Sequence, residues 1–526
     1  MTRSTHILRH RDGPRGLYGD LLPPALFGRM FPLGGKVTAA PFSDAALAKL
    51  GAQMSTSIDE LKDEKAHASG IPALYTYFGQ FVAHDLTFDP NTSLEKRRDK
   101  TAQVDYRTPA FDLDNVYGRG PEGQPYMYRS PRIGTGAERF LLGQPLNSGY
   151  NGNTDLPRNV AEPARALIAD PRDDENVLIA QLHTLFLRFH NNAAQNEEWN
   201  FQQVQNEVIY HYQQVVLYDF LRRIINSKVL KLYEPGGHYE ESAIRYYHWK
   251  GSKNKPPNSD SLSPYPFLPI EFSAAAYRFG HSMVRPAYQL NDDVLAAIFP
   301  DSEHLFPESL TGFQRTDPQF GLDWVRFIDI HRGFGGSKRT ELTNNRPLQF
   351  AFKIDTLLSN PLLHLPPSLD LSRTNSLAVR DLIRGSRLGL PTARTIARAM
   401  GIEDQLLENE EIIIGGYETA GGTSIVKVHK EFKSDCPLWP YILAEATHYQ
   451  EPEGVPGLKK RKMTPKLGPV GGRIVAETIL GLMFADPLSL LNQRKGRKLT
   501  RTSYSLADFV NDALDPTREI SSTIQE

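Results

Sequence analysis

The chain has 526 residues, 40% of them hydrophobic and 23% charged, with a formal net charge of -1. That is enough apolar material for a large core, and it leaves no global field to attract nucleic acid or an anionic membrane. A length prior of roughly three domains is soft, because a large helical protein can gather this many residues around one site. The basic run at 457 to 466, GLKKRKMTPK, has no aromatic residue for stacking on bases and reads as a solvated loop. No stretch approaches the ~20 apolar residues of a membrane span. The N-terminal MTRSTHILRHRDGPRG lacks the apolar segment of a secretory signal. Cys436 is the single cysteine, which rules out an intramolecular disulfide and fits a reducing, cytoplasmic compartment, with export by another route left open.

Residues 1 to 65 carry scattered Gly and Pro and are expected to form an arm over a main body spanning 66–505, followed by a frayed tail at 506–526. The first strong helix is LYTYFGQFVAHDLTFDP, 74 to 90. Leu74, Tyr77, Phe78 and Phe81 give it one apolar face, and its end is expected near Asp89-Pro90. Gln80 and His84 are four apart and lie near one another beside that face. Residues 91 to 160 are polar and rich in Gly, Pro and Asn, and read as long loops. A second helix is expected to open after Pro171 with Asp173, Asp174 and Glu175 in its first turn and a core stripe of Leu178, Leu182, Leu185 and Phe189. A third covers about 202 to 226 through Val204, Val208, Tyr212, Val215 and Leu221, and SAAAYRFGHSMV, 273 to 284, reads as a fourth, stopped by Pro286. Ser376 to Arg387 and Pro391 to Met400 flank Gly389 as two further helical pieces. The run 410–432 pairs β-branched residues with Gly and reads as an inserted β-hairpin. PLWPYILAEA and RIVAETILGLMF supply late core helices.

Three of these segments carry motifs: the helix at 74 to 90, ADPRDDENVLIAQLHTLFLRFHN at 169 to 191, and YRFGHSMVRP at 277 to 286. Together, in this order and with the loop TPAFDLD, they resemble the animal-type haem peroxidases of the peroxidase-cyclooxygenase superfamily over roughly residues 70 to 400. The resemblance implies a mainly α, single large helical fold with long loops and little β, holding haem b and calcium. It implies reduction of hydrogen peroxide and oxidation of small donors such as phenols, halides or thiocyanate through a ferryl intermediate. Nothing in the chain chooses the donor or sets an oligomeric state.

Carried over residue by residue, the resemblance makes His281 the proximal iron ligand and His84 the distal base. Arg172 becomes the distal arginine and Gln80 the distal glutamine. Without the resemblance, Arg172 reads as a surface ion-pair partner of Asp173 or Asp174. Arg278, one turn before His281, and Arg384, placed by the register of GLP at 389 to 391, match propionate-binding arginines. The same register puts Asp381 where the family has an asparagine beside the proximal histidine, which implies a more electron-donating imidazole; a salt bridge from Asp381 to Arg384 or Arg387 is the alternative. Asp85, Thr108, the Ala110 carbonyl, Asp112 and Asp114 match the calcium ligands, alternate residues of an extended loop pointing oxygens inward, although DxD is also an ordinary turn. Glu175 matches one ester-forming acid and equally suits a helix N-terminus. Ala83 stands where mammalian members have the other ester-forming acid, and Asn176 where one of them has a methionine, so at most one covalent haem link is expected. His183 and His190 are assigned to helix packing. The cyclooxygenase and dioxygenase branch has a tyrosine at the position of Arg278, which argues against fatty-acid dioxygenation, and Tyr277 is expected to point about 100 degrees away. A haem and calcium binding sensor without turnover is the rival from another class.

Overall fold

A computed structural model of the chain describes residues 25–33, 37–40, 42–54, 64–88, 104–105, 107–129, 136–147, 152–253, 263, 265–300, 308–330, 348–365, 374–416, 421–454, 461–495, 497–517 and 520–525. The architecture is mainly α. The arm contributes α1 (Asp44–Gln53), capped by the Ser43 hydroxyl, and the strand Ala25–Gly28, which pairs antiparallel with Val104–Asp105 and parallel with Leu268–Pro269. Residues 1 to 24 of the expected arm lie outside the described residues.

The apolar face of 74 to 90 becomes α2 (Leu74–Leu86), with Leu74, Tyr77, Phe78 and Phe81 buried. It ends at Leu86, where the Thr87 hydroxyl closes on the Ala83 carbonyl at 2.8 Å; Asp89-Pro90 lies outside the described residues. The second helix starts later than its acids suggested. Asp173 and Asp174 sit in a 3-10 turn, Pro171–Asp174, and α3 (Val177–Ala193) begins behind Asn176, whose side chain accepts from the Leu178 and Ile179 N–H groups. Those acids were free to leave the helix dipole because Asn176 already satisfies the orphan donors. α2 packs on α3 through a Phe81–Phe186 stack with ring centroids 4.3 Å apart. Tyr212 of α4 (Phe201–Val215) meets Phe78, Phe81 and Phe186 edge-on. Fully burying each such ring stabilises by about 1.5–3 kcal/mol.

The third expected helix runs through α4, then widens to a π-helical turn, Val216–Phe220, before closing at Leu221–Ile224. The widened turn carries Asp219, which accepts from the Tyr75 hydroxyl and from Arg223 Nε at 2.8 Å. The fourth expected helix is not α-helical throughout: one turn, Ile270–Ser273, gives way to a 3-10 helix, Ala276–His281. Further along come α5 (Leu377–Arg387) and α6 (Ala393–Met400), capped by Ser376 and Thr392 and separated at Gly389, whose φ of 66° suits a residue without Cβ. In 410–432 the strands Ile413–Ile414 and Thr423–Ser424 pair antiparallel, but Ile425–Val428 is a helical turn. That β-branched run is placed by packing on α1, which overrides its strand propensity. α7 (Leu438–His448) and α8 (Pro469–Ala485) form the late core and pack on the 276–281 turn. The tail is not frayed: α9 (Leu506–Leu514) opens with a Ser505–Asp508 capping box and stacks Phe509 on Phe189 at 4.6 Å, and Leu499 bridges to Ile524. Among the described residues no helix is long and apolar enough to cross a membrane, and Cys436 is a buried free thiol.

Candidate functional site

One cavity of about 600 Å³ gathers residues from α2, the 171–176 turn, the 276–284 segment and α5, a size within the ~300–1,000 Å³ of cofactor and small-molecule pockets. Gln80, His84, Arg172 and Glu175 line it together with Arg278, His281, Asp381 and Arg384. Apolar walls come from Phe272, Phe279, Val284, Leu362, Leu365 and Leu377. Residues from four separate stretches of chain therefore share one space.

On the α2 side, His84 Nδ1 lies 2.7 Å from Asp173 Oδ1. The other carboxylate oxygen of Asp173 accepts from Asn115 Nδ2 at 2.9 Å and lies 2.8 Å from His183 Nδ1. Burial raises the pKa of Asp173, but its bonds to His183 and His84 outweigh this and hold the carboxyl below its ordinary range. Arg172 does not pair with Asp173 or Asp174. Its Nε and Nη2 reach Asp170 at 3.1 and 2.7 Å, Nη2 also donates to the His84 and Thr87 carbonyls, and the guanidinium lies 4.9 Å from the Phe88 ring. Asp174 is taken instead by Arg158, in two bonds of 2.7 Å. Gln80 donates to Glu175. Burial pushes the Glu175 carboxyl up against the pull of His84 and Arg172. Its segment is fixed by Gly312, which approaches so closely that an added Cβ would sit 1.9 Å from the Asp174 carbonyl oxygen. Asn176 is the cap of α3.

On the other side, His281 Nδ1 lies 2.7 Å from Asp381 Oδ2, and Arg278 forms an ion pair with Asp381 Oδ1. Burial raises the Asp381 pKa, and Arg278, His281 and Arg384 together bring it below the ordinary value. Arg278, expected at a propionate, is thus engaged by Asp381 and by the Ser273 carbonyl at 3.1 Å. The alternative pairing of Asp381 with Arg387 does not form; Arg387 binds Asp44 at 2.6 and 3.0 Å. Trp439 of α7 stands edge-on to His281, with centroids 6.3 Å apart, and its indole N–H donates to the Arg278 carbonyl at 3.3 Å. Tyr277 also reaches the site. In the 3-10 turn it lines the same cavity, with its hydroxyl donating to the Gly79 carbonyl at 3.2 Å.

The TPAFDLD loop reaches α2 as expected but is not extended. Leu113 takes a left-handed φ of 56°, strained for a branched side chain, and Asp114 starts a helical turn. The Asp114 N–H donates to Asp85 Oδ1 at 3.0 Å, and the Thr108 hydroxyl lies 3.0 Å from Asp112 and 3.1 Å from Asp114. Asp85 Oδ2, Asp112 Oδ1 and the Tyr212 hydroxyl are buried with no hydrogen-bond partner among the described residues. Burial, then the neighbouring Asp112 charge, raises the Asp85 pKa well above normal. Among the described residues no three or more His, Cys, Asp or Glu side chains converge as a metal-holding group. Ala110 is buried in the same loop.

Sequence reasoning missed Asp173, Asp170 and Asn115. It also treated His183 as packing, whereas His183 shares the Asp173 carboxylate with His84; His190 does pack, against the Tyr117 hydroxyl and the Glu138 carbonyl. The available signal was the acid run after Arg172, more acids than one helix start requires.

The donor set suits haem: a histidine whose Nδ1 is anchored and whose Nε2 is available, arginines nearby, and apolar walls for a flat macrocycle. Residues 92–311 match the family model for the animal haem peroxidase. Over that stretch the chain is similar to the animal haem peroxidases. The matched stretch contains Arg172, Glu175, His281 and the 108–114 loop; Gln80, His84, Asp381 and Arg384 lie outside it and join the site through the fold. A peroxidasin homolog of Caenorhabditis briggsae is 27% identical over 208 residues, which is 37% of this chain and 15% of that protein. The probable oxidoreductase PXDNL of Homo sapiens is 26% identical over 204 residues, 36% of this chain and 12% of that one. The chain thus spans a small part of these relatives. In fold it is similar to peroxidase A from Dictyostelium discoideum, with a TM-score of 0.56, 14% identity and 96% of both chains covered. A fatty acid alpha-dioxygenase of Arabidopsis thaliana superposes with a TM-score of 0.52 and 14% identity over 95% of this chain and 80% of the other.

Proposed function

We propose that the protein is a haem-dependent peroxidase that reduces hydrogen peroxide and oxidises small donors. The observation that carries this reading is the pair of histidines, His84 and His281, in one cavity, each with Nδ1 tied to a buried aspartate. When bound, haem supplies the redox centre and the open coordination position for peroxide. His281 would hold the iron through Nε2, while Asp381 accepts its Nδ1–H and makes the ring a stronger donor. Arg384, with the apolar walls, would hold the macrocycle and a propionate.

His84 Nε2 is placed to take the proton from one peroxide oxygen and return it to the departing one, so that the oxygen leaves as water. Arg172, held by Asp170 and two backbone carbonyls, supplies a fixed positive charge for the leaving oxygen. Gln80 donates to Glu175 in the resting arrangement, so its use as a peroxide or water ligand requires that bond to yield. Glu175 matches the remaining ester-forming acid, since Ala83 stands at the position of the other. Calcium would be bound by Asp85, Thr108, Ala110, Asp112 and Asp114. The two orphaned carboxylate oxygens support this, and ion binding has to draw the dispersed acids together.

The lining position of Tyr277 and the likeness to a plant fatty acid dioxygenase favour one second reading, oxygenation of a fatty acid. The Arg278–Asp381 pair at the neighbouring position opposes it. Haem-loaded protein mixed with peroxide and a phenol or iodide in a stopped-flow spectrometer tests both. Donor oxidation that His84→Ala abolishes supports the peroxidase, whereas oxygen uptake with a fatty acid and no peroxide turnover replaces it with the dioxygenase.

A further inference from the structure

Behind His84 lies a buried group of three side chains, Asp173, His183 and Asn115. Asp173 and His183 are both 0% exposed, as is Asn115. Asp173 Oδ1 meets His84 Nδ1 at 2.7 Å, while its Oδ2 meets His183 Nδ1 at 2.8 Å and accepts from Asn115 Nδ2 at 2.9 Å. The three partners come from α2, α3 and the helical turn Asp114–Tyr117, so the carboxylate is held from three elements. Its own backbone is pinned too: the Asp173 N–H donates to the Asp170 carbonyl at 3.1 Å within the 3-10 turn. The residue before it, Arg172, donates from Nη2 to the His84 carbonyl at 3.0 Å. One short turn therefore grips His84 by both main chain and side chain.

An ionised carboxylate is an acceptor only. Each imidazole nitrogen facing Asp173 must therefore carry its proton, and neutral His84 is left with its lone pair on Nε2. His183 cannot supply that constraint alone, since its Nε2 has no partner among the described residues; its contribution is the Nδ1–H that holds Asp173 from behind. The geometry points to Asp173, braced by His183 and Asn115, as the positioning residue that sets the tautomer and orientation of His84 so that Nε2 is the proton-accepting atom in the cavity. Removing the carboxylate would leave a ring free to place its proton on Nε2, where it could not accept one from peroxide. The inference rests on the peroxidase reading only for its catalytic consequence; the tautomer itself is a property of the chain alone.

The test begins on the full-length protein without added haem, labelled with 15N-histidine, with the His84 signals assigned by their loss in His84→Gln. At a pH where the ring is neutral, the wild type is expected to show His84 protonated at Nδ1 and unprotonated at Nε2. A ring protonated at Nε2 overturns the proposal without the need for any variant. Asp173→Asn is the second arm, because its amide can donate as well as accept. The Nδ1–H signature is expected to be lost or mixed while the far-ultraviolet circular dichroism stays that of the wild type. An unchanged signature in the folded variant overturns the proposal. In haem-loaded protein, the rate of reaction with peroxide is expected to fall by about 10²-fold or more in Asp173→Asn, with donor KM unchanged. An equal fall in both rate and donor affinity would mark a general structural defect and refute the assignment. If wild-type protein binds haem but does not react with peroxide, the peroxidase reading fails while the nitrogen-15 result still decides the tautomer.

Discussion

Glu445→Gln should change the pH dependence of stability and, through it, the backing of His281. Glu445 lies on α7, fully buried, and accepts from the Val470 N–H at 3.0 and 3.2 Å and the Gly471 N–H at 3.1 Å at the start of α8. Burial nevertheless pushes its carboxyl from the ordinary 4.5 up to about 7. A raised folded-state value means that the folded chain holds the proton more tightly than the unfolded one. The associated stability is complete below about pH 4.5 and is lost as pH rises through about 7. At about 1.4 kcal/mol per tenfold change in proton affinity, the gap is worth about 3 kcal/mol. Glutamine keeps an acceptor for the helix N–H groups and does not titrate, so the variant should lack this slope. Urea unfolding of both proteins between about pH 4 and pH 8, followed by tryptophan fluorescence, reads it directly. The wild-type midpoint advantage over the variant should shrink with rising pH by the equivalent of about 3 kcal/mol. A difference that does not change with pH would refute the reasoning. The consequence for the site is local: α7 carries Trp439, which braces both His281 and the Arg278 carbonyl.

Asp381→Asn replaces the anion that accepts from His281 by a neutral group, and the midpoint potential of bound haem iron should rise; spectroelectrochemistry showing no change would remove the anionic-partner argument. Mass spectrometry of acid-extracted protein after peroxide turnover should find haem mass retained on the wild type and released by Glu175→Gln, and haem freely extracted from both would exclude the ester. Added calcium should raise the melting temperature of the wild type and leave Asp112→Asn much less affected, since a cation would take up the buried Asp85 and Asp112 oxygens that have no hydrogen-bond partner among the described residues; equal responses would place any calcium effect elsewhere. Phe81→Ala should cost about 3–5 kcal/mol by opening the stack with Phe186, measured by chemical denaturation.

Local periodicity was enough to locate α2, α3 and the Phe201–Ile224 helical run, because an apolar stripe repeats at fixed spacing whatever it later packs against. The amino-acid order also carried the residues of the candidate site: Gln80, His84, Arg172, Arg278, His281, Asp381 and Arg384 all line one cavity. What the order of residues could not carry was the pairing. Arg172 had three acids within two residues on either side, and only the fold sends Asp173 to His84, Asp174 to Arg158 and leaves Asp170 for the arginine. Tyr277 and Arg278 both line the cavity, although neighbouring residues of a 3-10 turn point about 120 degrees apart. The tail reads as polar and loose, yet α9 is held by Phe189, a contact more than three hundred residues away in sequence. By itself the sequence determined which chemical groups this protein has and which helices present them. Tertiary structure alone decided which hydrogen bond each charged group makes, because those choices depend on competing partners brought together from distant parts of the chain.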